Sequence, residues 1–265
     1  MKVVCAATER LIKKNQKNAN KPPSANPLET TQIHEQMEII YEDNHIIAVN
    51  KACGEIVQGD KTGDVTLIDK VKEYIKEKYK KPGDVYLGSP HRLDRPTSGV
   101  ILFARTSKAL LRLNEMFQDK EAMKKTYWAV VDKLPELEEG TLHHWLLKDE
   151  AKNKSHAHNK ERKGSKEAIL DYRHVATLNH YHLLEIDLKT GRHHQIRAQL
   201  NRIGLHIKGD LKYGAARSNE NAGIHLHARK IEFIHPVTKE PIKIVAKPPK
   251  DPIWNDLAQI DYLKD

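Results

Sequence analysis

The residue types best suited to chemistry lie together in His91-Arg92-Leu93-Asp94-Arg95-Pro96-Thr97-Ser98-Gly99. Asp94 is a carboxylate between two arginines, in a segment whose Pro, Ser and Gly mark a turn. Directly after it, Gly99 to Ala104 is a continuous apolar run that predicts a buried strand. Loops at strand ends are where rigid scaffolds present reactive groups. Neighbouring guanidinium groups favour the ionised carboxylate, which suits a nucleophile and not a proton donor. The competing structural reading is an Asx-turn aspartate that only holds the loop. These nine residues alone leave both open.

Histidine is the other chemically suggestive type, with 16 in the chain. Close pairs occur at His143-His144, His156 with His158, His193-His194, and His225 with His227. No Cys, Asp or Glu stands near any pair at the spacing of a third ligand, so no metal is expected.

The surrounding elements can be read from periodicity. Glu38 to Tyr41 and Ile46 to Val49, separated by Glu42-Asp43-Asn44, predict a hairpin. Thr66 with Asp69 forms a capping-box pattern before a helix carrying Leu67, Val71, Tyr74, Ile75 and Tyr79. A second helix runs from Ser107 to about Gln118, with Leu110, Leu113 and Phe117 inward. In Thr126 to Val131, Tyr127, Ala129 and Val131 share one face of a strand, and Trp128 and Val130 the other. Further strands are expected at Ala168 to Ala176, His182 to Leu188, Ile224 to Phe233 and Ile242 to Ala246. A helix is expected from His193 to Ile203, with a core stripe of Ile196, Leu200 and Ile203 and with Arg197 on the adjacent face. Strands dominate without regular βαβ alternation, which predicts an α+β fold with a mainly antiparallel central sheet flanked by helices and loops.

The chain has 265 residues and a formal charge of +9, from 45 Lys and Arg against 36 Asp and Glu. That surplus favours polyanionic partners, nucleic acid first. Lys148 to Lys166 concentrates seven basic residues among Gly, Ser and Asn and reads as a mobile loop, either merely solvated or gripping phosphates. Residues 1–36 read as a flexible basic tail, 37–250 as one folded domain and 251–265 as a C-terminal tail. Two cysteines without CxxC spacing fit a reducing cytoplasm. No apolar run approaches a membrane span.

The segment around Asp94 resembles the signature of RluA-type RNA pseudouridine synthases, in which His-Arg-Leu-Asp, two variable residues and Thr-Ser-Gly follow one another. Further blocks resemble that family in the same order: Asn50-Lys51, Lys125 to Val130, Gly191 to Arg197, Gly209-Asp210 with Tyr213-Gly214, and Leu226-His227-Ala228 leading to His235-Pro236. The resemblance runs from about residue 38 to 248. It implies the pseudouridine synthase catalytic fold, with an active-site cleft across the sheet. It implies isomerisation of a uridine in structured RNA, ribosomal RNA favoured over transfer RNA, without cofactor or metal; a monomer is the default expectation.

By the same resemblance Asp94 is the catalytic carboxylate, Tyr127 packs against the target base, and Arg197 pairs with the aspartate. Arg92 takes the place of the extruded base, and His91, Arg95, Arg192 and His194 join it in binding RNA. Ala52, His193 and the Ala198-Gln199 pair depart from the commoner family residues and are expected to touch only packing around the pocket. Many relatives carry a small basic RNA-binding module in front, which 36 tail-like residues are too few to make. Target selection is therefore expected to rest on the catalytic domain. The rival is a non-catalytic RNA-binding module on the same fold, which would need none of Asp94, Tyr127 and Arg197.

Overall fold

Thr66 shows how local chemistry sets the elements. Its Oγ1 accepts the Asp69 amide at 3.1 Å while the Asp69 carboxylate accepts the Thr66 amide at 3.2 Å, a complete capping box. Helix α1, Leu67–Lys78, starts there and buries Leu67, Val71 and Ile75. Helix α2, Ser107–Gln118, is capped by Thr106 Oγ1 on the Ala109 amide and buries Ala109 and Leu113. The computed structural model describes residues 37–59 and 63–260. The expected tail at 1–36 lies outside them.

Ten strands among the described residues form one sheet: β1 Glu38–Glu42, β2 Ile46–Lys51, β3 Ser98–Ala104, β4 Met123–Val131, β5 Glu139–Asp149, β6 Lys154–His158, β7 Lys166–Leu178, β8 Tyr181–Leu188, β9 Leu226–Ile234 and β10 Pro241–Val245. Their order is β1-β2-β3-β9-β4-β8-β7-β5-β6, with β10 also on β9. The named pairings are antiparallel except β3 with β9. That parallel contact is short, Ser98 to His227 and Gly99 to Ala228. Gly99 is required there: its φ is +114°, and a Cβ would stand 2.2 Å from the Ala228 carbonyl oxygen.

The two faces of β4 build two cores. Ala129 and Val131, with Tyr127 against them, pack on Ile196 and Leu200 of α3, Gln195–Arg202. Trp128 and Val130 pack on Trp254 and Leu257 of α4, Pro252–Leu257. The hairpin β1–β2, the buried strand β3 and helix α2 lie where the sequence pattern puts them.

Four expectations differ. Lys148 to Lys166 is not one loop: β6 pairs antiparallel with β5, so Lys154 to His158 is a hairpin strand. Its Ser155 is buried and bonded to Tyr213, which a charge count does not reveal. Helix α3 begins at Gln195, two residues late, because His194 takes a left-handed φ of 52°. Ile203 is exposed, so the stripe ends at Leu200, and Gly204 at φ +77° closes the helix. Residues 251–257 are no tail, since Asp251 caps α4 and Trp254 and Leu257 are buried. Among the described residues no helix is long and apolar enough to cross a membrane.

Candidate active site

The Asp94 loop is fastened at every carbonyl from 94 to 97. Asp94 O accepts the Thr97 amide at 3.0 Å, Arg95 O the Gly54 amide at 2.9 Å, and Pro96 O the Ile224 amide at 3.1 Å. Lys51, fully buried at the end of β2, donates its Nζ to Thr97 O at 2.7 Å, Arg95 O at 3.1 Å and Ala52 O at 3.0 Å. Burial pushes the Lys51 ammonium down to about 8, with the nearby Cys53, Glu55 and Asp94 opposing it. Three carbonyl acceptors compensate that buried cation, and together they hold the loop's shape.

Arg197 of α3 is 5% exposed and grips two carboxylates at once. Its Nε and NH2 donate to the two oxygens of Asp210 at 2.7 and 2.9 Å, and its NH1 donates to Asp94 Oδ2 at 3.1 Å. Its guanidinium also lies 5.0 Å from the centre of the Tyr213 ring. Burial opposes the Arg197 charge, but the bonds and charge of Asp210, then Asp94, hold its pKa above the ordinary arginine value. The forked geometry matches a planar guanidinium and not a lysine.

His194 completes the surroundings of Oδ2. Its Nε2 is 3.5 Å from Asp94 Oδ2, and its Nδ1 is 3.0 Å from the Tyr213 hydroxyl. Burial, then Arg197 and the other cations around it, push His194 down to about 2, so it stays neutral. Tyr213 OH accepts the Ser155 amide at 2.8 Å. Asp94 Oδ2 thus has its neighbours, while Oδ1 makes no hydrogen bond among the described residues.

Asp94, Tyr127 and Arg197 line one open cleft with Leu188, Ile196 and Leu226, about 460 Å³ including space continuous with solvent. Tyr127 is partly buried, and burial, then the Asp94 charge, push its phenol up, so it remains protonated. The apolar walls suit a flat ring. The three residues joined by the sequence comparison with a family are therefore brought together.

The residues expected to bind RNA divide. Arg92 is exposed, lines this cleft, and makes no hydrogen bond or ion pair among the described residues. Arg192 is exposed and lines it too, with Nε on the Glu167 carbonyl at 2.9 Å. Arg95 is not among the cleft-lining residues: it donates to Gly54 O and pairs with Asp64 at 3.0 Å. His91 accepts the Leu102 amide on Nε2 at 2.9 Å and stacks on Phe117, and burial pushes it down to about 3. His194 is buried beside Asp94 and supports it.

Sequence reasoning assigned no role to Asp210, Tyr213 or Lys51. Each stands in a block that resembled the family, but only long-range contacts reveal what it holds. Of the departures, Gln199 is buried and donates to the Leu142 and Ala168 carbonyls, away from the cleft. Among the described residues no three His, Cys, Asp or Glu side chains group as a metal site.

The cleft thus combines a carboxylate with one unbonded oxygen, a protonated phenol and a buried arginine that holds the carboxylate in place. The family model described as RNA pseudouridylate synthase matches residues 45–202. The tRNA pseudouridine synthase C of Vibrio cholerae is 31% identical over 240 residues, covering 83% of this chain and 94% of that protein. Its namesake in Pectobacterium carotovorum is 32% identical over 232 residues, 80% of this chain, which spans only 59% of that protein. The ribosomal large subunit pseudouridine synthase D of Zymomonas mobilis is 31% identical over 225 residues, covering 81% of this chain and 70% of that protein. In fold, Human RNA Pseudouridylate Synthase Domain Containing 4 matches with a TM-score of 0.70 at 21% identity, covering 88% of this chain and 95% of that one. The chain belongs to the RNA pseudouridylate synthase family. It is an isomerase of that family's α+β fold.

Proposed function

We propose that this protein isomerises a uridine within structured RNA to pseudouridine, with Asp94 as the carboxylate that engages the nucleoside. The observation that carries the reading is the Arg197 fork, which ties Asp94 Oδ2 to buried Asp210 in the wall of the cleft and leaves Oδ1 without a hydrogen bond among the described residues. The reaction breaks the bond from ribose C1′ to uracil N1, turns the ring, and joins C5 to C1′. A proton leaves C5 and N1 gains one, so nothing is consumed. The chain's own groups match these needs. Arg197 holds Asp94 in position, Leu188, Ile196 and Leu226 hold the detached base, and Tyr127 lines the same cleft as a neutral donor.

A base inside folded RNA must leave its stack, at about a few kcal/mol. Arg92, exposed at the mouth and uncommitted, is the side chain we assign to the vacated position. Ribosomal RNA remains the first substrate to offer, as expected from the sequence. The relatives are named for transfer RNA and for ribosomal RNA alike, so both belong in the assay.

Isomerisation releases the C5 hydrogen, so RNA labelled with tritium at uracil C5 reports turnover directly. Wild-type enzyme should release tritium, and Asp94→Asn should lose at least about a thousandfold in rate while holding RNA within a few-fold of wild-type affinity. Turnover by Asp94→Asn, or none by wild type on either RNA class, removes the proposal. The second outcome with RNA binding intact is what a non-catalytic module gives.

A further inference from the structure

Beyond the Asp94 cleft, a second and larger groove of about 1120 Å³, open to solvent, meets it at Arg92, Tyr127 and Arg192. Its walls come from the end of α2, the start of β4 and the turn after β8. Five cations line it and no carboxylate does: Arg92, Lys120, Lys125, Lys189 and Arg192. Two of them are neutralised by neighbours, Lys120 by Glu167 at 3.2 Å and Lys189 by Asp187 at 2.7 Å. Arg192 spends its Nε on a backbone carbonyl.

Lys125 is different. It is only 9% exposed, yet its ammonium has no hydrogen bond or ion pair among the described residues. Its nearest described ring contact is Phe117, at 6.0 Å from the ring centre. Burial pushes its pKa down, with only the charge of Asp187 opposing. A partly desolvated ammonium with no ion-pair partner among the described residues, reached through the open groove, is a strong site for an anion. Nothing in the isomerisation uses it. Beside it, His91 has its Nε2 occupied by the Leu102 amide and is neutral, which leaves Nδ1–H as a donor. Asn114 and Gln118 of α2 add amides that can meet a base edge.

We infer that this groove is a subsite for a nucleotide flanking the target uridine, its phosphodiester gripped by Lys125 and its base facing the Asn114 and Gln118 amides. The inference rests on the functional reading above and deepens it. The cleft takes the extruded uridine, Arg92 stands at the junction, and Lys125 fixes the adjacent backbone. Lys125 acts by positioning the RNA and leaves the chemistry to Asp94.

The test removes charge from either side of the contact. In an RNA bound by wild-type enzyme, the linkages next to the target uridine are replaced one at a time by neutral methylphosphonate. Lys125→Met keeps the apolar stem and removes the ammonium. One flanking methylphosphonate should weaken wild-type binding roughly tenfold, the scale of one charged hydrogen bond. Lys125→Met should show the same loss, should not be weakened further by that linkage, and should have a salt slope shallower by about 0.7. KM should rise with it far more than kcat falls, and Lys125→Arg should recover affinity.

Unchanged affinity and slope in Lys125→Met, or a loss that adds fully to that of every neutral linkage, overturns the subsite. Should Lys125→Met fail to fold, Lys125→Gln carries the same comparison. A wild type indifferent to all flanking linkages rejects the subsite without any variant. Because binding is read without turnover, failure of the isomerase reading, reported by tritium release, is seen separately.

Discussion

The two sides of β4 carry ion pairs of nearly equal length and use them differently. Facing the cleft, Arg197 lies 2.7 Å from Asp210 and 3.1 Å from Asp94. On the Trp128 side, Arg173 lies 3.0 Å from Glu185. Separation does not distinguish them. Water does: the side chains of Arg197 and Asp210 are 5% and 1% exposed, those of Arg173 and Glu185 61% and 34%. An exposed pair can trade its partner for solvent at almost no cost. A buried one cannot, so its geometry is imposed on whatever it touches. Asp94 touches it, and inherits a fixed orientation. The overall charge and the number of salt bridges say nothing of this.

The comparison breaks first at Asp210. Asp210→Asn removes one charge of a buried pair and should destabilise the fold by about 3–5 kcal/mol. Arg197 would then have Asp94 as its one remaining carboxylate, drawing on Oδ2 without the second anchor. Turnover should therefore fall further than stability explains, with RNA affinity largely kept. Chemical denaturation and tritium release measure the two quantities. If Asp210→Asn melts like wild type, burial does not lock the Arg197–Asp210 pair in place.

A pH series sharpens the same contrast through groups that exclude protons. His194 and His227 are buried, and burial pushes them down to about 2 and about 4. Above the unfolded value near 6.5 both states are neutral and neither histidine matters. Below it the unfolded chain takes up protons that the folded chain refuses, so stability is lost as pH falls. Each contributes up to about 1.4 kcal/mol per pH unit, His227 down to about pH 4 and His194 further. Thermal midpoints between pH 7 and 5 should fall accordingly, and His194→Gln should flatten the slope by about one proton. An unaltered slope in that variant means His194 is protonated in the fold and the Oδ2 environment is misdescribed.

What the sequence made legible follows the same divide. The Thr66 capping box, the α2 boundaries and the two faces of β4 are local patterns, and they were readable because each rests on residues within a few positions. Asp94, Tyr127 and Arg197 were legible only through resemblance, since no spacing in the chain says that residues 94 and 197 meet. Asp210 and Lys51 carried no local signal: one is an acid after a glycine, the other a lysine at a strand end. Their meaning lies in contacts 13 and 46 residues away. Basic composition suggests a loop at Lys154 to His158, whereas its pairing is with β5 and its anchor is Tyr213. Trp254 and Leu257 were assigned to a tail because six residues are too few for periodicity to register.

The smallest expected effect lies on the solvated side. Arg173→Ala deletes a 3.0 Å bridge to Glu185 that, by distance alone, equals the Arg197 contact with Asp94. Exposed on a sheet face, it should shift stability by less than about 1 kcal/mol, less still at high salt, and leave tritium release unchanged. Glu185 keeps the Trp128 Nε1 donor at 3.4 Å and open water, so no charge is stranded. That is the physical opposite of Asp210→Asn, where the buried guanidinium loses one of its two carboxylates with no open water to replace it. A loss of several kcal/mol from Arg173→Ala would mean that the back of the sheet is as dry as the cleft side. The division on which the reading of Asp94 is built would then have to be redrawn.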